Sequence, residues 1–376
     1  MRYADIAGKF GVGGDFDIVG ESKGRCRLPK VIDLRSDIVT KPSVEMRRAM
    51  YEAEVGNDSW RGDPTAERLQ ELAAARLGKE AALFATSGTQ GNLLATLSHL
   101  GKGGTIVAAE DSHVGYGELD GYREIGSASL VSVPTTKGAP KSAELRKSLA
   151  DVEPGGANRT VVWVENTHNL AGGSVLTPGD MAATRSVAED FGVPVHLDGS
   201  RIFNAATYLN APASELAKDA DSVQFCLSKG LGAPIGSILA GSAGLIEEAR
   251  RWRQMIGGQM RQLGVVAAAG IVALEVMTRR LHEDHENARI LAEGLAEIRG
   301  IQIDPEDVQT NLVFCNVEQG FGTAESVTAS LREESVLAGP AGVNPQAIRF
   351  VVHCDISRKD VADALVAISS VMENPS

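Results

Sequence analysis

The chain has 376 residues, 43% hydrophobic and 23% charged, an ordinary globular composition with room for two intimately packed domains. A net charge of −12 argues against nucleic acid or an anionic membrane as a main partner, but not against a small anion in a local basic pocket. No apolar run reaches the roughly 18–20 residues of a membrane helix, the N-terminus lacks an apolar signal core, and Cys26, Cys226, Cys315 and Cys354 show no CxxC or metal-ligand spacing, so a reducing, cytoplasmic location and no metal are expected.

Residues 1–30 are glycine-rich and aperiodic and read as an extension outside the core fold. An alternating segment, Val31-Ile32-Asp33-Leu34-Arg35-Ser36-Asp37, precedes a short helix through Met46 and Met50. Ala66, Leu69, Ala73 and Leu77 predict a helix opened by Asp63-Pro64 and closed by Gly78. Strands are then expected at Ala81–Ala85, Thr105–Ala109, Thr160–Val164, Val193–Leu197 and Ser222–Leu227, with helices between them. Short apolar strands alternating with amphipathic helices indicate an α/β fold with a mostly parallel sheet covered on both faces. Helical patterns dominate from Leu245 to Ile298. Beyond Gly300, strands at Asn311–Val317 and Ile348–His353 and two helices form a smaller α+β domain, roughly 276–376; the last helix opens on a capping-box-like Ser357-Arg358-Lys359-Asp360.

Ligands of parallel sheets gather at strand ends, and the strand ends of this chain are chemically loaded. Thr86-Ser87-Gly88-Thr89, between a strand and a helix, is an anion cradle suited to phosphate, although Ser-Gly-Thr also makes an ordinary turn and cap. Asp198 ends a buried strand, where it can cap the next helix or hold a proton on a heterocyclic nitrogen. Lys229 sits between an apolar strand and a glycine-rich turn. It serves as a solvated lysine or as a Schiff-base lysine held in an apolar pocket. His113 and His168 follow strands in polar loops, where imidazole stacks on a ring or exchanges protons near neutral pH. His99, His282 and His285 lie on helices with polar neighbours and read as solvated. Arg201 and Arg349 can fork a carboxylate; Arg349 lies in an apolar strand and needs an anion, from protein or substrate. Arg261 follows a flexible turn and can reach a phosphate, across a subunit boundary if the chain associates.

Cradle, acid and lysine in that order are what a pyridoxal phosphate site requires. With Asp33-Leu34-Arg35-Ser36-Asp37, Gly62-Asp63-Pro64-Thr65, Glu165-Asn166-Thr167-His168-Asn169, His196-Leu197-Asp198-Gly199, Leu227-Ser228-Lys229-Gly230-Leu231-Gly232-Ala233-Pro234 and Gly258-Gln259-Met260-Arg261-Gln262, the chain resembles the threonine aldolase family of fold type I pyridoxal 5'-phosphate enzymes, from about Val31 to the last helix.

The resemblance implies a transferase-like large domain, 31–275, carrying an N-terminal arm and a seven-stranded sheet, and a small domain, 276–376. It implies that Lys229 joins the cofactor, Asp198 pairs with its ring nitrogen, His113 stacks on the ring, and Ser87, Gly88, Thr89 and Arg261 hold the phosphate. Ser36, Arg201 and Arg349 would grip the substrate carboxylate, Arg201 also touching the cofactor, and His168 would sit by the β-hydroxyl. The implied reaction is reversible retro-aldol cleavage of L-threonine, L-allo-threonine or a related β-hydroxy-α-amino acid to glycine and an aldehyde. The family usually forms homotetramers built from dimers, with sites at the dimer interface. Departures include Ile38 within Ser36–Thr40, Trp60-Arg61 before Gly62, Ser200 within Asp198–Arg201, and the segment Gly115–Asp120. They touch the substrate side, so an amino-acid racemase, a β-eliminating lyase or a transaldolase on the same scaffold is the alternative. A cofactor-binding protein without catalysis would lack the lysine, acid or clamp, and all three are present.

Overall fold

The structure, a computed structural model, describes residues 30–118, 120–152, 159–342 and 344–373. The expected extension, 1–30, lies outside the described residues apart from Lys30.

Seven strands form the central sheet: β1 (Ala81–Ala85), β2 (Thr105–Ala109), β3 (Ser129–Val133), β4 (Thr160–Glu165), β5 (Val195–Asp198), β6 (Ser222–Cys226) and β7 (Ser237–Gly241). Their spatial order is β1-β7-β6-β5-β4-β2-β3. All pairings are parallel except those of β7, which runs antiparallel to both β1 and β6. Helices cover both faces, so β2 and β6 are buried along their whole length, and the polar Ser222 and Gln224 of β6 are enclosed rather than solvated. With β7 reversed, the other six strands end at one edge of the sheet, where β4, β5 and β6 set Glu165, Asp198 and Gln224 side by side and β6 runs on to Cys226.

The second sheet is antiparallel, in the order β8 (Ile301–Gln302), β9 (Leu312–Val317), β11 (Ala347–Val351), β10 (Gly339–Pro340). Val313, Phe350, Leu291, Leu331 and Ile368 pack it against the helices Leu281–Ala296, Ala324–Glu333 and Arg358–Glu373. The arm joins this layer: Ile32–Asp33 pairs in parallel with Val336–Leu337, and Leu34 is fully buried in the same core. No helix among the described residues is long and apolar enough to cross a membrane.

The structure adds β3 and β7 to the strands expected from sequence, carries β5 on to Asp198, and ends β11 at Val351, so that Cys354 falls in a turn. Two histidines expected to be solvated are not. His99 is wedged against the sheet with Nε2 2.7 Å from Ser222 Oγ, and His285 meets Asn204 Nδ2 at 3.2 Å. Burial lowers each imidazole to about 4. His282 is exposed as expected.

Candidate active site

Ser87 caps the Gly88–Leu100 helix: its Oγ accepts from Gln90 N, and its carbonyl accepts from Gly91 N. The N–H groups of Gly88 and Thr89 have no place in the helix ladder and face the strand edge, the arrangement that holds an anion. Small residues bring this helix close to β6. A Cβ on Gly91 would fall 2.8 Å from Gln224 Cγ. Gly88 and Thr89 line a cavity of about 300 Å³ together with Thr40, Ile38, His113, Ser200, Cys226 and Lys229.

Lys229 lies in the loop between β6 and β7, tied at its base by Leu227 N donating to Gly236 O and at its carbonyl by Thr40 Oγ1 and Gly232 N. Asp198, 1% exposed, accepts from Ser200 N, Ser200 Oγ and Asn92 Nδ2 at 3.1, 2.8 and 2.8 Å. It therefore caps the following turn and holds a buried carboxylate directly behind Ser200 in the cavity wall. Burial pushes its pKa up, but the charges of His113 and Lys229 and these hydrogen bonds outweigh that and hold it below the usual carboxylate value.

His113 is fixed from two sides. Its backbone N–H donates to Glu165 Oε2 at 2.7 Å, and its Nδ1 meets Glu118 Oε1 at 2.9 Å. Burial opposes the imidazolium, yet Glu118 and Asp198 raise its pKa above 6.5. Gly117 is required beside it, since a Cβ there would lie 2.3 Å from His113 Nε2.

Arg201, 7% exposed, forks Asp37 with two contacts of 2.7 Å. Burial would raise the Asp37 carboxyl, but Arg201 overrides it and brings the pKa to about 2. Arg349 is half-buried and, among the described residues, donates to neutral oxygens, Asn169 Oδ1 and Arg35 O, both at 3.2 Å. Burial and the neighbouring charge of Arg201 both disfavour its cation, so an anion is wanted beside it. Ser36 is close by in sequence to Asp37, 9% exposed, its Oγ capping Ile38 N.

The residue model matched over positions 33–318 is that of the beta-eliminating lyase family. Low-specificity L-threonine aldolase 1 of Arabidopsis thaliana is 40% identical over 347 residues, covering 91% of this chain and 96% of that protein. The chain belongs to the beta-eliminating lyase family, in its threonine aldolase group. The low specificity L-threonine aldolase of Escherichia coli (strain K12) is 38% identical over 89% of this chain and 97% of its own. A threonine aldolase structure from Leishmania major shares the fold with a TM-score of 0.76 at 17% identity, covering 91% of this chain and 99% of that one.

Not every expected residue of the threonine aldolase pattern is gathered here. His168 is completely buried, its Nδ1 accepting from Ala171 N and its Nε2 3.4 Å from Asp111 Oδ1, so the ring does not line the cavity. Arg261 is exposed and donates to Ser59 Oγ, away from the cavity wall. Conversely, Asn92, Asp37 and Glu165 belong to the site without a role having been read for them from sequence, while Glu118 and Tyr116 fall in the Gly115–Asp120 segment that the sequence placed on the substrate side. Asn92 carried a usable signal, standing one turn beyond Gly88 on the buried face of the helix. Tyr116 Oη accepts from Asn169 Nδ2 at 2.7 Å, beside Arg349, and burial pushes its hydroxyl up to about 12.

Proposed function

We propose that this lyase cleaves L-threonine, L-allo-threonine or a related β-hydroxy-α-amino acid to glycine and an aldehyde, reversibly, with pyridoxal 5'-phosphate. The supporting observation is that a lysine and the start of a helix, Gly88 and Thr89, line one cavity at the ends of β6 and β1, with the buried carboxylate of Asp198 hydrogen-bonded to Ser200 in its wall. These residues fit the cofactor: Ser87, Gly88 and Thr89 its phosphate, Lys229 its carbonyl, Asp198 its ring nitrogen, His113 its face, and Arg201 an edge. When bound, the ring supplies an acceptor for the electron pair released at the substrate Cα.

The chain's own residues do the rest. Arg349 takes the substrate carboxylate with Ser36, while Arg201, its fork already on Asp37, adds its charge, and that grip selects which Cα bond stands across the ring. Glu118 holds the Nδ1 proton of His113 and leaves Nε2 as the lone pair that accepts the β-hydroxyl proton, directly or through water. His168 acts from behind this layer and needs a shift of its loop to reach the same oxygen. We divide the chain at about residue 275 into a large domain, 31–275, and a small domain, 276–376.

The same reading extends to a homotetramer made of dimers. Tyr51, Trp60 and Met255 are large apolar side chains 88%, 81% and 60% exposed, and Ser59, next to Trp60, is hydrogen-bonded to Met260 and Arg261. A second copy seated there would carry Arg261 to its partner's phosphate site.

The deciding experiment incubates the purified protein with L-threonine and measures acetaldehyde and glycine against epimerised threonine and 2-oxobutanoate. Glycine with acetaldehyde is expected, and their loss together with the visible absorbance of the lysine-bound cofactor in Lys229→Ala. Epimer or oxo acid as the main product would replace the aldolase reading with racemisation or elimination.

A further inference from the structure

Behind Asp198 a line of hydrogen bonds runs along the sheet to the outer end of the Gly88–Leu100 helix. Asn92, 2% exposed, places Nδ2 2.8 Å from Asp198 Oδ2 and 3.0 Å from Glu118 Oε1. Two carboxylate acceptors fix the amide, with nitrogen toward them and Oδ1 away. Asn92 Oδ1 lies 3.4 Å from Nε2 of His196, which is completely buried against Trp163. An amide oxygen only accepts, so His196 carries its proton on Nε2 and its Nδ1 is bare. That Nδ1 is 2.7 Å from Ser222 Oγ, which must donate to it. Ser222 has one proton, so its second contact, His99 Nε2 at 2.7 Å, is an acceptance from His99. Burial keeps both rings neutral near pH 7, His99 at about 4 and His196 at about 3.

We propose that His99, Ser222, His196 and Asn92 are positioning residues for Asp198, a one-directional donor chain that holds its carboxylate ionised and aimed at the cofactor's ring nitrogen. Every proton in the chain points toward the two carboxylates, and none has to move. Successive donors polarise one another, so Asn92 donates more strongly with the chain intact. The inference rests on the pyridoxal phosphate reading for its purpose but not for its geometry.

Two measurements on the full chain test it. In ¹⁵N-histidine NMR of the protein without added cofactor, His99 and His196 should both be neutral with the proton on Nε2; an Nδ1-protonated His196 overturns the chain. Affinity is then measured for pyridoxal phosphate and for its 1-deaza analogue, in which carbon replaces the ring nitrogen. Ser222→Ala should weaken pyridoxal phosphate by about threefold to tenfold, the worth of one hydrogen bond, and leave the analogue unchanged. His99→Leu, at the half-buried outer end where folding is least at risk, should do the same, and His99→Gln, which keeps an N–H donor, should restore the affinity. Equal weakening of both ligands would reduce the chain to packing and overturn the proposal. If the wild-type protein binds neither ligand, the cofactor reading fails, while the NMR result still decides the hydrogen-bond order.

Discussion

Arg349 donates to two neutral oxygens and stands near Arg201, whose own fork is taken by Asp37. Arg349→Gln should therefore raise KM for the amino acid by about tenfold or more while the cofactor's absorbance stays, because a lost charged hydrogen bond is worth about 1.5–3 kcal/mol. Glu118 controls a proton instead of a charge pair. The raised pKa of His113 means that the base form, and with it kcat/KM, is gained only as pH climbs through a value above 6.5. Glu118→Gln removes a cause of that rise, so the acidic limb of the profile should move to lower pH, with a smaller maximum. Asp37 works on stability. Its folded pKa is depressed from 3.8 to about 2, so its contribution, about 2 kcal/mol, is complete above pH 4 and is lost as pH falls toward 2. Acid unfolding of Asp37→Asn, followed by circular dichroism, should show a flatter slope in that window. Lys229 and Asp198 were legible in sequence because each stands out against an apolar strand. Asp37 was not: an aspartate in a short polar run looks like any turn residue until Arg201 arrives from 164 positions away.

Gly91 and Gln224 show how two elements share one tolerance. Gln224 is fully buried and hydrogen-bonded to Ser237 on β7 and to Ser200, so it has no room to yield to a Cβ on the helix. Gly91→Ala gains helix propensity but overpacks this contact; a net loss of about 1 kcal/mol in urea unfolding is expected, with weaker cofactor binding because Ser200 also holds Asp198. At the last helix the box read from sequence is present in full: Ser357 N and Oγ donate to Asp360 Oδ2, and Asp360 N donates back to Ser357 Oγ. Ser357→Ala should cost about 1 kcal/mol and leave turnover unchanged. Elements that announce themselves by local chemistry were legible, and those defined by neighbours were not. β3 is an edge strand whose Ser129 and Ser132 face solvent, and β7 is a five-residue run with only Ile238 and Leu239 as large apolar side chains, after a glycine turn. His99 sits among polar helix neighbours in sequence, and only the sheet beneath reveals that its ring is enclosed.

At the scale of the whole molecule, the cradle and the lysine are joined through a strand that belongs to neither. Among the described residues, β1 joins the sheet only through β7, and β7 is made about 150 residues after it, immediately beyond the Lys229 loop. During synthesis the strand that presents Ser87, Gly88 and Thr89 has no sheet partner until Gly241 has left the ribosome. The order of translation thus acts as an interlock, since a chain stopped short of β7 carries the lysine and the acid but has no seat beside them for the strand that leads into Ser87-Gly88-Thr89.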